Sequence, residues 1–239
     1  MTTSQIETYR HRIYPHYKAI CANAKVQAIN AKRELSLFCT QWGSNWTCGE
    51  GVLFIGRATN GWGGGLDADA ILNENTLFNA GDQMRWVDDV WTNQAPGKWS
   101  GARSPFWRVI RAVTEARYPR EWYSHIAWSN LCRVSFADEG NPSESLFWAQ
   151  YDECRELLRI DLDVLRPKTV VMITDYQNWG HWFTDAVVGN AKPLLFSHCG
   201  CTVTVLRGNG NTVIVCDRPE GHAEAPMVEC LAKAIGKLS

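Results

Sequence analysis

The chain contains no CxxC pair, so neither a zinc ribbon nor a cysteine-ligated iron–sulfur cluster has support in its sequence. No apolar run approaches the ~20 residues that would span a bilayer. Met1 to Arg12 is polar and charged and lacks the apolar core segment of a secretory signal. Neither sign of charge dominates: 24 Lys and Arg stand against 25 Asp and Glu, for a formal net charge of −1. That balance excludes a polybasic protein that holds nucleic acid by bulk electrostatics, while leaving room for a local patch. There is no Gly-x-Ser-x-Gly elbow and no Ser–His–Asp order, and no repeat, low-complexity tract or evident linker interrupts the chain.

The nine cysteines are odd in number, follow no disulfide-framework spacing and sit mostly inside apolar stretches, where a thiol packs as a small hydrophobe. A reducing, cytoplasmic setting is expected. His198-Cys199-Gly200-Cys201 comes nearest to a metal cluster but is too tight to supply four ligands alone. Packing near a sheet is its expected fate, and no metal or cofactor is expected.

At 239 residues, 45% of them hydrophobic, the chain is long enough to bury a large core and short enough for a single domain over 1–239. Residues 1–48 read as a helical covering segment and 50–238 as an α/β core. Charge is unevenly spread. From Lys98 to Arg133 seven basic residues face Glu115 and Glu121, whereas Asp138 to Asp163 carries eight acids against Arg155 and Arg159. A basic side and an acidic side follow, or simply solvated helix faces.

Apolar residues at helical spacing (Ile13, Tyr17, Ile20, Ala24, Ile29, Leu35, Phe38) predict a helix or helix pair from Gln5 to Trp42. Val52 to Ile55 predicts a strand. A Trp-rich irregular region to Ser100 follows, and Ser104-Pro105 opens a helix to Ala116 as N-cap and first-turn pair. His125 to Asn130 is a second strand, Glu144 to Leu165 a helix stopped at Arg166-Pro167, and Thr169 to Thr174 a third strand. A helical stretch around Tyr176 to Ala186 leads to strands at Val203 to Leu206 and Thr212 to Cys216, with a closing helix from Ala225 to Leu238. This alternation predicts a three-layer α/β/α sandwich around a central, mostly parallel sheet.

In such a sheet, loops at the carboxyl ends of the strands converge on one edge, where ligands bind. The first of these loops is the most informative. After Val52-Leu53-Phe54-Ile55 the chain breaks into Gly56-Arg57-Ala58-Thr59-Asn60-Gly61-Trp62-Gly63-Gly64-Gly65. Glycine brings backbone N–H groups close to a ligand, and Arg57 and Asn60 add a fixed cation and an amide. No Lys followed by Ser or Thr comes after Gly65, and Asp67 and Asp69 would repel a phosphate, so the loop is not a P-loop.

Four pieces in order resemble the uracil-DNA glycosylase superfamily over about residues 50–238. Val52-Leu53-Phe54-Ile55-Gly56 with Asn60 is similar to its first motif, a strand ending in Gly and then an Asp or Asn beside Pro. His125-Ile126-Ala127-Trp128-Ser129-Asn130-Leu131 resembles the strand whose terminal Asn reads the base. Leu165-Arg166-Pro167-Lys168-Thr169-Val170-Val171 resembles the Pro-then-strand piece that follows. Val213-Ile214-Val215-Cys216-Asp217-Arg218-Pro219 resembles the strand ending in His-Pro-Ser.

The resemblance implies that Asn130 hydrogen-bonds a pyrimidine edge, with Gly56, Arg57 and Pro219 also lining the substrate. It implies that Asn60 aligns a water against the anomeric carbon and that a cation at Arg218, or His222 four residues on, stabilises the departing base. Asp67 or Asp69 folding back is the alternative to Asn60. Trp62 is the expected stacking surface for a flipped base, while the core claims the other tryptophans. The sequence departs from the family pattern: Ala58 falls where the common pattern puts the acid, the Pro is missing, and Arg218 with Glu220 replaces His and Ser.

The expected activity is metal-independent hydrolysis of an N-glycosidic bond. Its expected partner is single-stranded or damaged duplex DNA, or a free nucleobase-like ligand, with no membrane. Two alternatives stand beside it. One is a non-catalytic binding protein on the same fold; the other is a small-molecule hydrolase or transferase on a flavodoxin-like sheet.

Overall fold

The computed structural model describes residues 2–59, 65–73, 82–92, 99–138, 140–189, 191–208 and 210–238. In chain order the elements are α1 (Thr3–Ala31), β1 (Leu35–Leu37), β2 (Gln41–Trp42), β3 (Val52–Gly56), α2 (Ala68–Asn73), α3 (Arg85–Asp89) and α4 (Pro105–Glu115). They continue with β4 (Ile126–Asn130), β5 (Val134–Phe136), α5 (Glu144–Leu165), β6 (Thr169–Ile173), α6 (His181–Val188), β7 (Leu194–His198), β8 (Cys201–Gly208), β9 (Asn211–Cys216) and α7 (Glu224–Leu238). The protein is of mixed α/β class, and no helix among the described residues is long and apolar enough to cross a membrane.

Two compact units are distinguishable. The first comprises Met1–Thr40, Gly56–Ala80 and Ser129–Arg166; the second comprises Gln41–Ile55, Gly81–Trp128 and Pro167–Ser239.

In the first unit α1 buries Tyr9, Ile13, Tyr17, Ile20 and Ala24, a stripe at three- and four-residue spacing. Pro15 is tolerated on the exposed face of that helix. Its packing against α5 is fixed by polar pairs along the seam: Tyr9 with Asp161, His16 with Glu153 at 2.6 Å, and Arg12 with Asp163. Three of the acids of α5, Glu153, Asp161 and Asp163, are thus paired with side chains of α1.

The expected helix to Trp42 ends early, at Ala31, with Lys32 in the left-handed region at φ 52°. Residues 35–43 are buried without a break. A helix burying one stripe could not cover all of them, whereas a short strand enclosed on both faces can. β1 therefore pairs antiparallel with β5, Leu35 opposite Phe136 and Leu37 opposite Val134.

The seven-stranded sheet has the order β2-β4-β3-β6-β9-β8-β7. Its residues belong to the second unit, except Gly56 of β3 and Ser129 and Asn130 of β4. β3, β6 and β9 run parallel, with Val52 opposite Thr169 and Thr169 opposite Thr212. The flanks do not: β2 is antiparallel to β4, β8 to β9 and β7 to β8. The sheet is mixed rather than mostly parallel because its last three strands are joined by turns too short for a parallel crossover. β7 to β8 turns on Cys199 and Gly200, both with positive φ (50° and 77°) as a two-residue hairpin demands.

Capping follows the sequence. Ser143 Oγ accepts from Leu146 N at 3.3 Å to open α5, and Arg166 closes it at φ 43° just before Pro167. In the second unit, Trp86, Trp107, Trp122 and Trp128 form a nested cluster, with Trp107 edge-on to Trp128 at 5.0 Å and to Trp86 at 5.7 Å. Trp86 Nε1 donates to Gln41 Oε1 at 2.7 Å, which anchors α3 to β2. The expectation that the core claims the tryptophans other than Trp62 holds only in part: Trp42, Trp46, Trp107, Trp122 and Trp128 are buried and Trp86 and Trp91 half-buried, but Trp99, Trp148 and Trp182 are exposed.

Candidate functional site

In the first unit three of the expected residues come together. Past β3 and β4 the chains stay hydrogen-bonded, Leu131 N to Gly56 O at 2.9 Å and Cys132 N to Arg57 O at 2.8 Å. Gly56 and Arg57 therefore run beside Asn130. The loop is pinned again at Thr59: Ser135 Oγ donates to the Thr59 carbonyl at 2.7 Å, and the two hydroxyls are 2.7 Å apart. Since the Ser135 proton is used on that carbonyl, Thr59 is the donor between the hydroxyls. Asn60, the next residue, and Trp62 lie outside the described residues.

Asn130 is the chemically open member of this group. It is 2% exposed, and its Nδ2 has no hydrogen-bond partner among the described residues. An amide N–H buried without a partner costs on the order of 1–3 kcal/mol. Strand β4 cannot relax to relieve it, because the segment around it is fixed by polar contacts on either side.

Immediately next to Asn130, Ser129 Oγ donates to Asp161 Oδ2 at 3.1 Å. Three residues beyond, Arg133 donates to the same oxygen at 2.6 Å and to Thr40 Oγ1 at 2.6 Å. Thr40 in turn donates to Asp161 Oδ2 at 2.6 Å, and Tyr9 to Oδ1 at 2.5 Å. Gln150 completes the frame, its Oε1 accepting from Arg133 N and Val134 N and its Nε2 donating to Val134 O at 2.8 Å. Burial disfavours the charge on Arg133, but Asp161 outweighs it and holds the guanidinium firmly protonated. Burial, reinforced by Asp161, raises the Tyr9 phenol well above its ordinary value, so it stays a donor.

Sequence reasoning missed this frame because it counted Arg133 in a basic excess and Asp161 in an acidic one. The available signal was local: Arg133 follows Leu131-Cys132 and precedes Val134 in an apolar stretch with no solvated face. Of the rest of the basic excess, Arg108 is bound to Glu224 (Nε at 3.0 Å) and Arg111 to Glu115 at 2.6 Å. Three of the seven charges read as one basic side, Arg108, Arg111 and Arg133, are thus paired with carboxylates.

The second unit holds the remaining expected residues. Arg218, half-buried, forms an ion pair with Glu220 at 2.9 Å. Pro219 is buried, and its carbonyl accepts from His222 N at 3.0 Å in a turn that leaves His222 exposed. Arg218 and His222 thus flank one turn after β9. At the carboxyl end of β6, Asp175 has φ 66°, and its carboxylate caps the following turn through Gln177 N at 3.0 Å and Asn178 Nδ2 at 2.6 Å. That carboxylate escaped the sequence reading and is engaged in a structural cap.

Among the described residues, the side chains that bring metal-ligand atoms together are His198, Cys199 and Glu229, all in the second unit. Compared with models of known protein families, the chain matches none, and a search of curated proteins likewise finds no match.

Proposed function

We propose that the protein recognises a single nucleobase, flipped from single-stranded or damaged DNA, with the carboxamide of Asn130 reading its edge. The observation that carries this reading is the buried Nδ2 of Asn130, unpartnered among the described residues. Opposite a base carbonyl it would gain the hydrogen bond it otherwise forgoes, while the amide oxygen accepts from a ring N–H. The rigid frame around Arg133 and Asp161 supports recognition by fixing the strand end before the base arrives.

The finer fold belongs to the same proposal: a three-layer sandwich of the uracil-DNA glycosylase type. In its favour are the parallel run β3-β6-β9 and the position of β3 between β4 and β6, the kind of switch point at which α/β sheets open a ligand crevice. On this reading Gly56 and Arg57 border the base, Asn60 aligns the hydrolytic water, and Trp62 supplies the stacking face.

A specific set of observations favours binding without hydrolysis as a second reading. Ala58 stands where an acid is expected, Arg218 is paired with Glu220 at its own turn, and His222 is exposed in that turn. The test is base release from oligonucleotides carrying uracil, hypoxanthine, xanthine or a mismatch, read by alkaline strand scission beside a gel shift. Release lost in Asn130→Ala supports the enzyme; a gel shift lost in Asn130→Ala with no release supports the binding protein. Neither release nor a shift in the wild type overturns the proposal.

A further inference from the structure

The hairpin joining β7 to β8 carries chemistry that nucleobase recognition does not use. His198 closes β7, Cys199 is the first turn residue, and α7 carries Glu229 up to them. Cys199 Sγ donates to Glu229 Oε2 at 2.8 Å, and the ligand atoms of His198, Cys199 and Glu229 all lie within 4.8 Å of one another. We propose that these three side chains form a binding site for a divalent transition-metal ion of the zinc type, open to solvent at its remaining position.

The ligand chemistry selects the class of ion. One imidazole nitrogen, one sulfur and one carboxylate oxygen suit a borderline cation that prefers four-coordination, and three protein ligands with a solvent position is an arrangement zinc adopts. Calcium and magnesium are disfavoured, since they require several oxygen ligands and only one carboxylate is present. The hydrogen-bonded proton of Cys199 leaves to solvent as the metal–sulfur bond forms, giving two ligand charges to balance the ion. Lys233, which faces the same thiol from α7, opposes the ion with a single positive charge.

Two features of Cys199 are otherwise unaccounted for. It is the one exposed cysteine of the nine, although a free thiol ordinarily packs inside. It also occupies a left-handed turn position at φ 50°, where Asn, Asp or Gly is the natural choice and a cysteine gains nothing from the turn itself. Sequence reasoning discounted the His198-Cys199-Gly200-Cys201 run for want of ligands; the missing carboxylate comes from 30 residues away.

The test strips the full chain with a chelator and titrates it with Co2+ alone, then displaces the cobalt with Zn2+. A thiolate-to-cobalt charge-transfer band in the near ultraviolet is expected. It should be absent in both Cys199→Ser and Cys199→Asn, the latter being a residue that suits the turn, and should persist in Cys201→Ser. His198→Ala and Glu229→Gln should each weaken binding by at least the roughly 10-fold that loss of even a supporting partner brings. No band in the wild type, a band that survives loss of Cys199, or affinity unchanged in both His198→Ala and Glu229→Gln would overturn the site.

Discussion

Arg133 and Asp161 form an ion pair at 2.6 Å in which neither side chain is more than 1% exposed. Such a pair is tolerated because the lone pairs of Asp161 are also taken up by Tyr9, Thr40 and Ser129. Removing one partner leaves the other buried and unmatched. Asp161→Asn should therefore lower unfolding free energy by about 3–5 kcal/mol, measured by urea denaturation. The double change Arg133→Met with Asp161→Leu should be much milder than the sum of the two single changes. Additive losses would mean that the pair is not coupled.

The proposed role of Asn130 can be told apart from a structural one. An amide that merely capped a turn would destabilise the fold when removed. One held in reserve for a ligand should not, so Asn130→Ala should change unfolding free energy by less than about 1 kcal/mol. Affinity for base-damaged single-stranded DNA should meanwhile fall by roughly 5–150-fold, the value of a bidentate base contact. A variant that loses stability while keeping affinity would assign Asn130 to the scaffold.

Strong local signals were legible in the sequence. The unbroken β-branched run of β6 and the Arg166-Pro167 stop of α5 both stand where periodicity and turn chemistry put them. β1, β2 and β5 were not legible, because strands of two or three fully buried residues carry no alternation. β7 escaped for the opposite reason. It lies at the sheet edge with Leu194 and Leu195 exposed, so its apolar residues mark no inner face. At the candidate site, Asn130 was legible as a strand-terminal amide. Its supporting frame was not, since Tyr9, Thr40, Arg133 and Asp161 meet only through tertiary packing.

Four of the six buried thiols make the protein especially sensitive to alkali. Burial pushes Cys39 and Cys154 from an ordinary 9.0 up to about 12, and Cys132 and Cys216 also well upward. Below pH 9 both folded and unfolded chains keep these protons. Above it the unfolded chain gives them up while the folded chain retains them, so stability falls as pH rises from 9 towards 12. Each thiol contributes roughly 1.4 kcal/mol per pH unit to that fall. Denaturation midpoints at pH 8, 9 and 10 should drop mainly in the last interval, and Cys39→Ala should flatten the drop. A pH-independent midpoint would contradict the assignment.

Arg218 and Glu220 form an ion pair at 2.9 Å in the turn after β9. Arg218 is 38% exposed and Glu220 42% exposed, so their pairing is screened by water and holds the guanidinium only loosely. If Arg218 meets DNA, Glu220→Gln should raise affinity for a single-stranded oligonucleotide by about 2- to 5-fold at low salt, the range an exposed ion pair can contribute. The gain should fade at high ionic strength as screening shortens the reach of the freed charge. Arg218→Ala should weaken binding and make its salt dependence shallower, because one fewer phosphate is neutralised. Fluorescence anisotropy across a salt series reads both effects. If neither substitution moves affinity or salt slope, Arg218 serves only its own turn.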